Sequence, residues 1–271
     1  MTAAPKLITS LQNDRVKAIR ALEMRKERKE TGLFVAEGTS LLITARDHGF
    51  VPETLIYRTG SASSGLAQGL VAWALREGVE CLEVSEAVLG KLSSKDNPQS
   101  MLGVFKQRWA DLPGAKKAPD DAAWVALEEV RDPGNLGTVI RTADAVGAAG
   151  VILIGNCCDP YSHECVRATM GSVFAVPLVR TQREAFLDWV PRWRGDVVGT
   201  HLDGAEDFRS AQYKMPAVLL MGSEGPGLSQ QLAAACTRLV KIPMAGQLDS
   251  LNLAVATALV LYQMRGPQLK L

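Results

Sequence analysis

Three apolar runs in the second half of the chain each break into a loop of glycine, proline and polar residues, and this pattern restricts the fold more than any other. The runs are Trp124-Val-Ala-Leu127, Ala217-Val-Leu-Leu-Met221 and Leu239-Val-Lys-Ile242. The loops after them contain Asp132-Pro-Gly-Asn-Leu-Gly137, Gly222-Ser-Glu-Gly-Pro-Gly227 and the stretch from Pro243 to Asn252. A run without polar alternation suits a strand covered on both faces, as in a parallel sheet flanked by helices. A helical pattern over residues 138–146 and a further run at Gly150-Val-Ile-Leu-Ile154 complete a strand–helix–strand unit. Open parallel sheets hold ligands at the carboxyl ends of their strands, so the three loops mark where chemistry belongs.

Residues 1–108 show the same alternation on a smaller scale. The patterns predict one helix over 10–31, strands near 33–38, 54–57, 80–84 and 101–106, and helices between them. Residues 109–122 carry two prolines, a glycine and mixed charge, and read as a linker. The expectation is therefore an α/β chain of two domains, 1–108 and 123–271. In the second, a strand is also expected at Val173-Phe-Ala-Val176.

Composition narrows the class. Of the 271 residues 47% are hydrophobic and 22% charged, which supplies a core for two soluble domains. A net charge of +1 does not advertise nucleic-acid binding, so any RNA contact must come from local patches. Residues 10–31 offer one, with Arg15, Arg20, Arg25 and Arg28 among neighbouring acids. Five cysteines, an odd number, suit reduced thiols in a cytoplasmic setting. The first residues lack the apolar core of a secretory signal, and no apolar run is long enough for a membrane span. Cys157, Cys158, His163 and Cys165 lie close together but lack the paired C-x₂-C spacing of a zinc site, so no metal is expected.

The loops carry the candidate chemistry. Asn135 and Arg141, six residues apart across a helix start, can both face one site, and Arg141 stands among apolar neighbours where a bare guanidinium would be costly. Its planar fork suits either a carboxylate or a phosphate. In Gly222-Ser-Glu-Gly-Pro-Gly227 the glycines let the backbone approach a ligand, with Glu224 at the strand end. In the third loop Asp249 or Ser250 is expected to cap a helix that starts near Leu251 and is apolar on nearly every side, with Ser250 and Asn252 at its mouth.

Together, N-x-G-x-x-x-R-T-A at Asn135 to Ala143, G-S-E-G-P-G at Gly222 to Gly227 and I-P-M-x-G-x-x-x-S-L-N at Ile242 to Asn252 resemble the three signature motifs of the SpoU (TrmH-like) RNA 2′-O-ribose methyltransferases, within the SPOUT superfamily. The resemblance implies a C-terminal parallel-sheet domain tied into a deep trefoil knot, preceded by a smaller α/β domain similar to ribosomal protein L30e. It implies S-adenosyl-L-methionine as cofactor, held near Thr200, Gly222, Ile242 and Leu251. Arg141 would lie beside the ribose and its phosphate, supported by Asn135, Glu224, Ser250 and Asn252. Because an arginine keeps its charge across the working pH range, phosphate binding and stabilisation of the developing alkoxide suit it better than proton abstraction. RNA would be the substrate, ribosomal RNA ahead of transfer RNA because of the extra domain, with Arg15, Arg25, Arg28 and Arg167 as contacts. Members are homodimers whose active site is completed across the interface. The alternative is a knotted RNA-binding or ribosome-assembly factor without turnover.

Overall fold

The computed structural model describes residues 5–63, 65–93, 99–114, 118–202, 206–247 and 250–269. In chain order the elements begin with β1 (Lys6–Ile8), α1 (Asp14–Ala21), α2 (Arg25–Thr31), β2 (Leu33–Glu37), α3 (Thr39–Asp47) and β3 (Thr54–Arg58). They continue with α4 (Gly65–Arg76), β4 (Glu80–Val84), α5 (Glu86–Leu92), β5 (Met101–Lys106), β6 (Ala123–Glu128) and α6 (Pro133–Ala145). Then come β7 (Gly150–Ile154), α7 (His163–Ala168), β8 (Leu178–Thr181), α8 (Arg183–Trp189) and β9 (Val197–Thr200). The last are β10 (Glu206–Asp207), β11 (Ala217–Met221), α9 (Gln230–Ala235), β12 (Arg238–Lys241) and α10 (Leu253–Arg265).

The chain forms two compact units, Met1–Gln107 with Asp159–Phe174, and Arg108–Cys158 with Ala175–Leu271. The first holds a five-stranded sheet, β1-β4-β3-β5-β2, in which β5 runs antiparallel to both neighbours. Its inclusion of residues 159–174 has a physical cause. Tyr161 and Phe174 pack on Phe34 with ring centroids 4.7 and 5.9 Å away, and Phe174 also meets Phe50 and Phe105. This aromatic cluster withdraws the segment from the second unit, to which its sequence position had assigned it. The strand expected at 173–176 is instead a 3₁₀ turn at Ser172–Phe174, and the strand follows at β8.

The single helix expected over 10–31 is two. Arg28, only 4% exposed, turns its guanidinium inward and donates to the Leu22 and Glu23 carbonyls at 2.8 Å each, taking acceptors that a continuous helix would use. The same side chain pairs with Asp159 at 2.7 Å. Its task is therefore to brace a chain break, a correction to its expected place on RNA.

His163, at the start of α7, leaves Nε2 buried without a hydrogen-bond partner among the described residues. Burial pushes its imidazole below the ordinary range; Glu23 opposes this, Arg28 adds to it and Glu37 opposes it. An unfolded chain therefore takes up this proton at about pH 6.5, before the folded one does. The stability from neutral His163 is complete above that pH and is lost as pH falls toward the lowered folded value. Urea midpoints measured from pH 7.5 to 5 should decline less steeply for His163→Gln than for the wild type; identical slopes would exclude the effect.

The second unit holds a seven-stranded sheet, β10-β12-β9-β11-β6-β7-β8, parallel throughout. Every residue of β6, β7 and β11 is buried, which accounts for apolar runs that only Glu128, at the end of β6, interrupts. The segment expected to be a linker packs onto this unit: Ala110 bridges to Val179, and Pro113 accepts a bond from Trp189 Nε1 at 2.8 Å. Among the described residues no helix is long and apolar enough to cross a membrane, and no three metal-binding side chains gather.

Candidate active site

The carboxyl ends of β9, β11 and β12 open into a cavity of about 680 Å³. Thr200 closes β9, Gly222 follows β11, and Ile242 follows β12, so three neighbouring strands deliver their ends to one place. All eight of Asn135, Thr200, Gly222, Glu224, Ile242, Ser250, Leu251 and Asn252 line it. His201 and Leu202, which the resemblance places beside Thr200 at the cofactor's adenosine end, also line it, as does Met244 of the third motif; Lys241 lines it too, and only its place at a strand end could have suggested it.

Gly222 is glycine for a steric reason. A Cβ there would lie 1.9 Å from the Gly227 carbonyl carbon and 2.0 Å from the Leu228 nitrogen. Ser223 and Gly227 exchange backbone bonds of 3.2 and 3.1 Å across the loop, and Gly225 and Gly227 adopt φ of +93° and +73°. The loop is folded back on itself and leaves its backbone against the cavity.

A directed hydrogen-bond chain links the three loops. Asn252, rather than Ser250, caps α10, its Oδ1 accepting from the Ala254 and Val255 amides at 2.9 and 3.2 Å. Asp249 lies outside the described residues. Backbone amides only donate, so the Asn252 oxygen must face them and its Nδ2 must face away. That nitrogen donates to Asn135 Oδ1 at 2.9 Å, which turns Asn135 Nδ2 toward Glu224 Oε1, 3.0 Å away. Asp132 caps α6 by accepting from the Asn135 amide at 2.6 Å. The helix dipole at α10 thus sets the direction of a relay that ends on an exposed carboxylate.

The relay is testable. Asn135→Asp sets two carboxylates face to face and should lower kcat by about tenfold or more, given about 1.5–3 kcal/mol for a hydrogen bond to a charged group. Adding Glu224→Gln restores a donor and an acceptor with reversed direction and should recover part of the loss, as a double-mutant cycle would read. Additive losses would show that the two residues act separately.

Arg141 is elsewhere. It is exposed rather than set among apolar neighbours, does not line the cavity, and has no hydrogen-bond or ion-pair partner among the described residues. Six residues at about 100° each leave it about 120° around the helix from Asn135. Thr138 and Thr142 of α6 border a second, largely apolar cavity of about 580 Å³ with Val255, Leu259 and Tyr262 of α10, and Arg141, about 60° and 100° around the helix from those threonines, does not line it. Those three side chains are 41–49% exposed, so one apolar side of α10 is open where burial on all sides was expected.

The other basic candidates separate. Arg15 is held by Glu80, through Nε at 3.0 Å, and by Thr54. Arg25 and Arg167 are exposed. Burial pushes the Cys157 thiol up to about 11 and the Cys236 thiol up to about 12, which suits neither to act as a nucleophile.

Residues 122–262 match the family model described as the SpoU rRNA Methylase family. The chain belongs to that family. Residues 13–103 match a second model, the MRM3-like substrate binding domain. Among SpoU relatives, the chain is 31% identical to the 23S rRNA (guanosine(2553)-2′-O)-methyltransferase RlmP of Bacillus subtilis (strain 168), over 96% of this chain and all of that one. It is 33% identical to the 23S rRNA (uridine(2479)-2′-O)-methyltransferase of Streptomyces viridochromogenes, over 97% and 92% of the two chains. The AdoMet-bound rRNA methyltransferase from Sinorhizobium meliloti superposes with a TM-score of 0.90 at 47% identity, covering 98% of this chain and 99% of the other.

Proposed function

We propose that this SpoU protein transfers a methyl group from S-adenosylmethionine to a ribose 2′-hydroxyl of ribosomal RNA, as a cytoplasmic homodimer. The observation that carries the reading is the meeting of three separate loops, through Asn135, Glu224 and Asn252, at the edge of one cavity. Gly222, Gly225 and Gly227, which line the same cavity, add support by leaving backbone without side chains against it.

The cavity fits the cofactor in size and lining, since ligand pockets run from about 300 to 1,000 Å³ with a few polar groups among apolar ones. Gly222, Ile242 and Leu251 would hold it, with Thr200 and the adjoining His201 and Leu202 toward its adenosine end. When bound, it supplies an electrophilic methyl on a sulfonium. The protein's part is to bring the 2′-oxygen into line with that methyl, which replaces a large entropic barrier. Ser250 and the Asn135–Glu224 pair would hold the ribose, and Arg141 would bind the adjoining phosphate and steady the oxygen as its proton leaves.

Two finer points belong to this reading. The strip of Val255, Leu259 and Tyr262 suits a second copy of the chain, which would bring Arg141 to the partner's cavity. The stretch from Ile242 into α10 would be threaded as a trefoil knot, as in the SPOUT superfamily. Residues 1–108 would be the RNA-binding domain, with Arg25 and Arg167 as contacts.

The deciding experiment maps 2′-O-methyl groups in total RNA with and without the gene. One alkali-resistant phosphodiester in ribosomal RNA, lost on deletion and restored by purified protein with S-adenosylmethionine, is expected. A base methylation, or no change at all, would end the proposal.

A further inference from the structure

The segment Glu128-Glu-Val-Arg-Asp132, from the end of β6 to the start of α6, holds three charged groups that are committed and one that is not. Glu128 is 3% exposed; it accepts from Arg183 Nε at 3.1 Å and from the Ser229 amide at 2.8 Å. Glu129 accepts from Arg183 Nη2 at 3.2 Å. Asp132 caps α6 through the Asn135 amide. Across the loop, Glu224 accepts from Asn135 Nδ2 and, at 3.3 Å, from the backbone amide of Arg131. Among the described residues the exposed Arg131 guanidinium pairs with none of these carboxylates, nor with any other group.

The backbone explains why. Glu129 sits at φ +48°, a left-handed conformation that costs a non-glycine residue about 1 kcal/mol or more. Ile154 accepts the Glu129 amide at 3.0 Å, and the Val130 carbonyl accepts from Cys158 at 2.7 Å, with Val130 fully buried. With Val130 plugged into the core and the Arg131 amide tied to Glu224, the Arg131 side chain is turned outward beside the cavity mouth. A loop held this firmly, in a strained conformation, keeps one cation free among four acids.

We infer that Arg131 grips a phosphate of the RNA next to the ribose that is methylated. The inference rests on the proposed function and adds to it a substrate contact that the three motifs do not contain. A guanidinium matches phosphate through paired N–H donors, and the neighbouring acids, already bonded elsewhere, do not compete. Because Glu224 holds both the Arg131 amide and Asn135, a phosphate on Arg131 would set the register of the nucleotide over the cavity.

The test uses 23S ribosomal RNA extracted from cells lacking the gene, tritiated S-adenosylmethionine and the full-length protein. For Arg131→Gln, KM for RNA should rise about tenfold, and the log–log salt slope of RNA binding should shrink by roughly one. Affinity for S-adenosylmethionine, by titration calorimetry, should stay within about twofold of wild type. Arg131→Lys should regain the salt slope, and Arg192→Gln, an exposed cation beyond α8, should change neither quantity. An unchanged RNA KM and salt slope in Arg131→Gln would overturn the inference, as would a parallel fall in cofactor affinity, which would mark a role in loop structure. Failure of the wild type to methylate RNA would bring down the proposed function, and this inference with it.

Discussion

Gly222→Ala is expected to abolish measurable S-adenosylmethionine binding while leaving the chain folded. The atoms that the new methyl would strike are backbone, at 1.9 Å for the Gly227 carbonyl carbon, 2.0 Å for the Leu228 nitrogen and 2.2 Å for the Gly227 oxygen. No rotamer change relieves such a clash; the loop has to open. Opening breaks the paired Ser223–Gly227 bonds and moves Glu224 away from Asn135. Displacement of a positioned group by about 1 Å is enough for a loss of about 100-fold, and the cofactor would meet several displaced groups at once. The fold should survive, because residues 224–227 are exposed and the strand below, β11, is anchored on both sides by β9 and β6. Calorimetry should find at least a hundredfold weaker binding alongside a cooperative thermal transition within several degrees of wild type. Wild-type affinity in a folded variant would remove the loop from the cofactor site.

The sequence made the second unit legible because its constraints are local. A strand buried on both faces is apolar unless its polar groups are paired, as β7 and β11 are throughout and β6 is up to the bonded Glu128, and a loop that turns under a backbone must contain glycine, as Gly222 shows. What could not be read depends on distant partners. Nothing near Arg28 announces that it folds inward onto Leu22 and Glu23 and so divides a helix, since its stabilising partner, Asp159, is 131 residues away. Val173 and Phe174 look like a strand because they are apolar, but Phe174 is buried in the aromatic cluster of the first unit. The cap of α10 was misplaced for a related reason: Ser250, Asn252 and Asp249 are equally suitable by type, and the bond to Asn135 selects Asn252. The pairing of Asn135 with Arg141 failed on helical geometry alone. Six residues do not return to the same face, and that could have been worked out beforehand.

Arg141→Ala should lower kcat by about a thousandfold with little change in S-adenosylmethionine affinity, the upper range for removal of one preorganised charge that stabilises a developing oxyanion. The cofactor should be indifferent because Arg141 does not line the cavity. Lysine keeps the charge but loses the fork, so Arg141→Lys should remain well below wild type; near-normal activity would defeat the bidentate role. Position decides where the effect is exerted. Arg141 lines neither cavity and lies about 120° around α6 from Asn135, so in the proposed homodimer it would serve the cavity of the second chain. Mixing two inactive proteins separates the possibilities. In a dimer of Arg141→Ala with Gly222→Ala, the first chain keeps a sound cavity and the second keeps its arginine. If the arginine serves the partner's cavity, a freely exchanging equal mixture should regain about a quarter of wild-type turnover, since half the dimers are mixed and each has one complete site. If it serves its own, every site in the mixture lacks one component and no activity returns. A monomer in solution at working concentration, or a mixture that stays inactive after exchange is demonstrated, would refute catalysis across the interface.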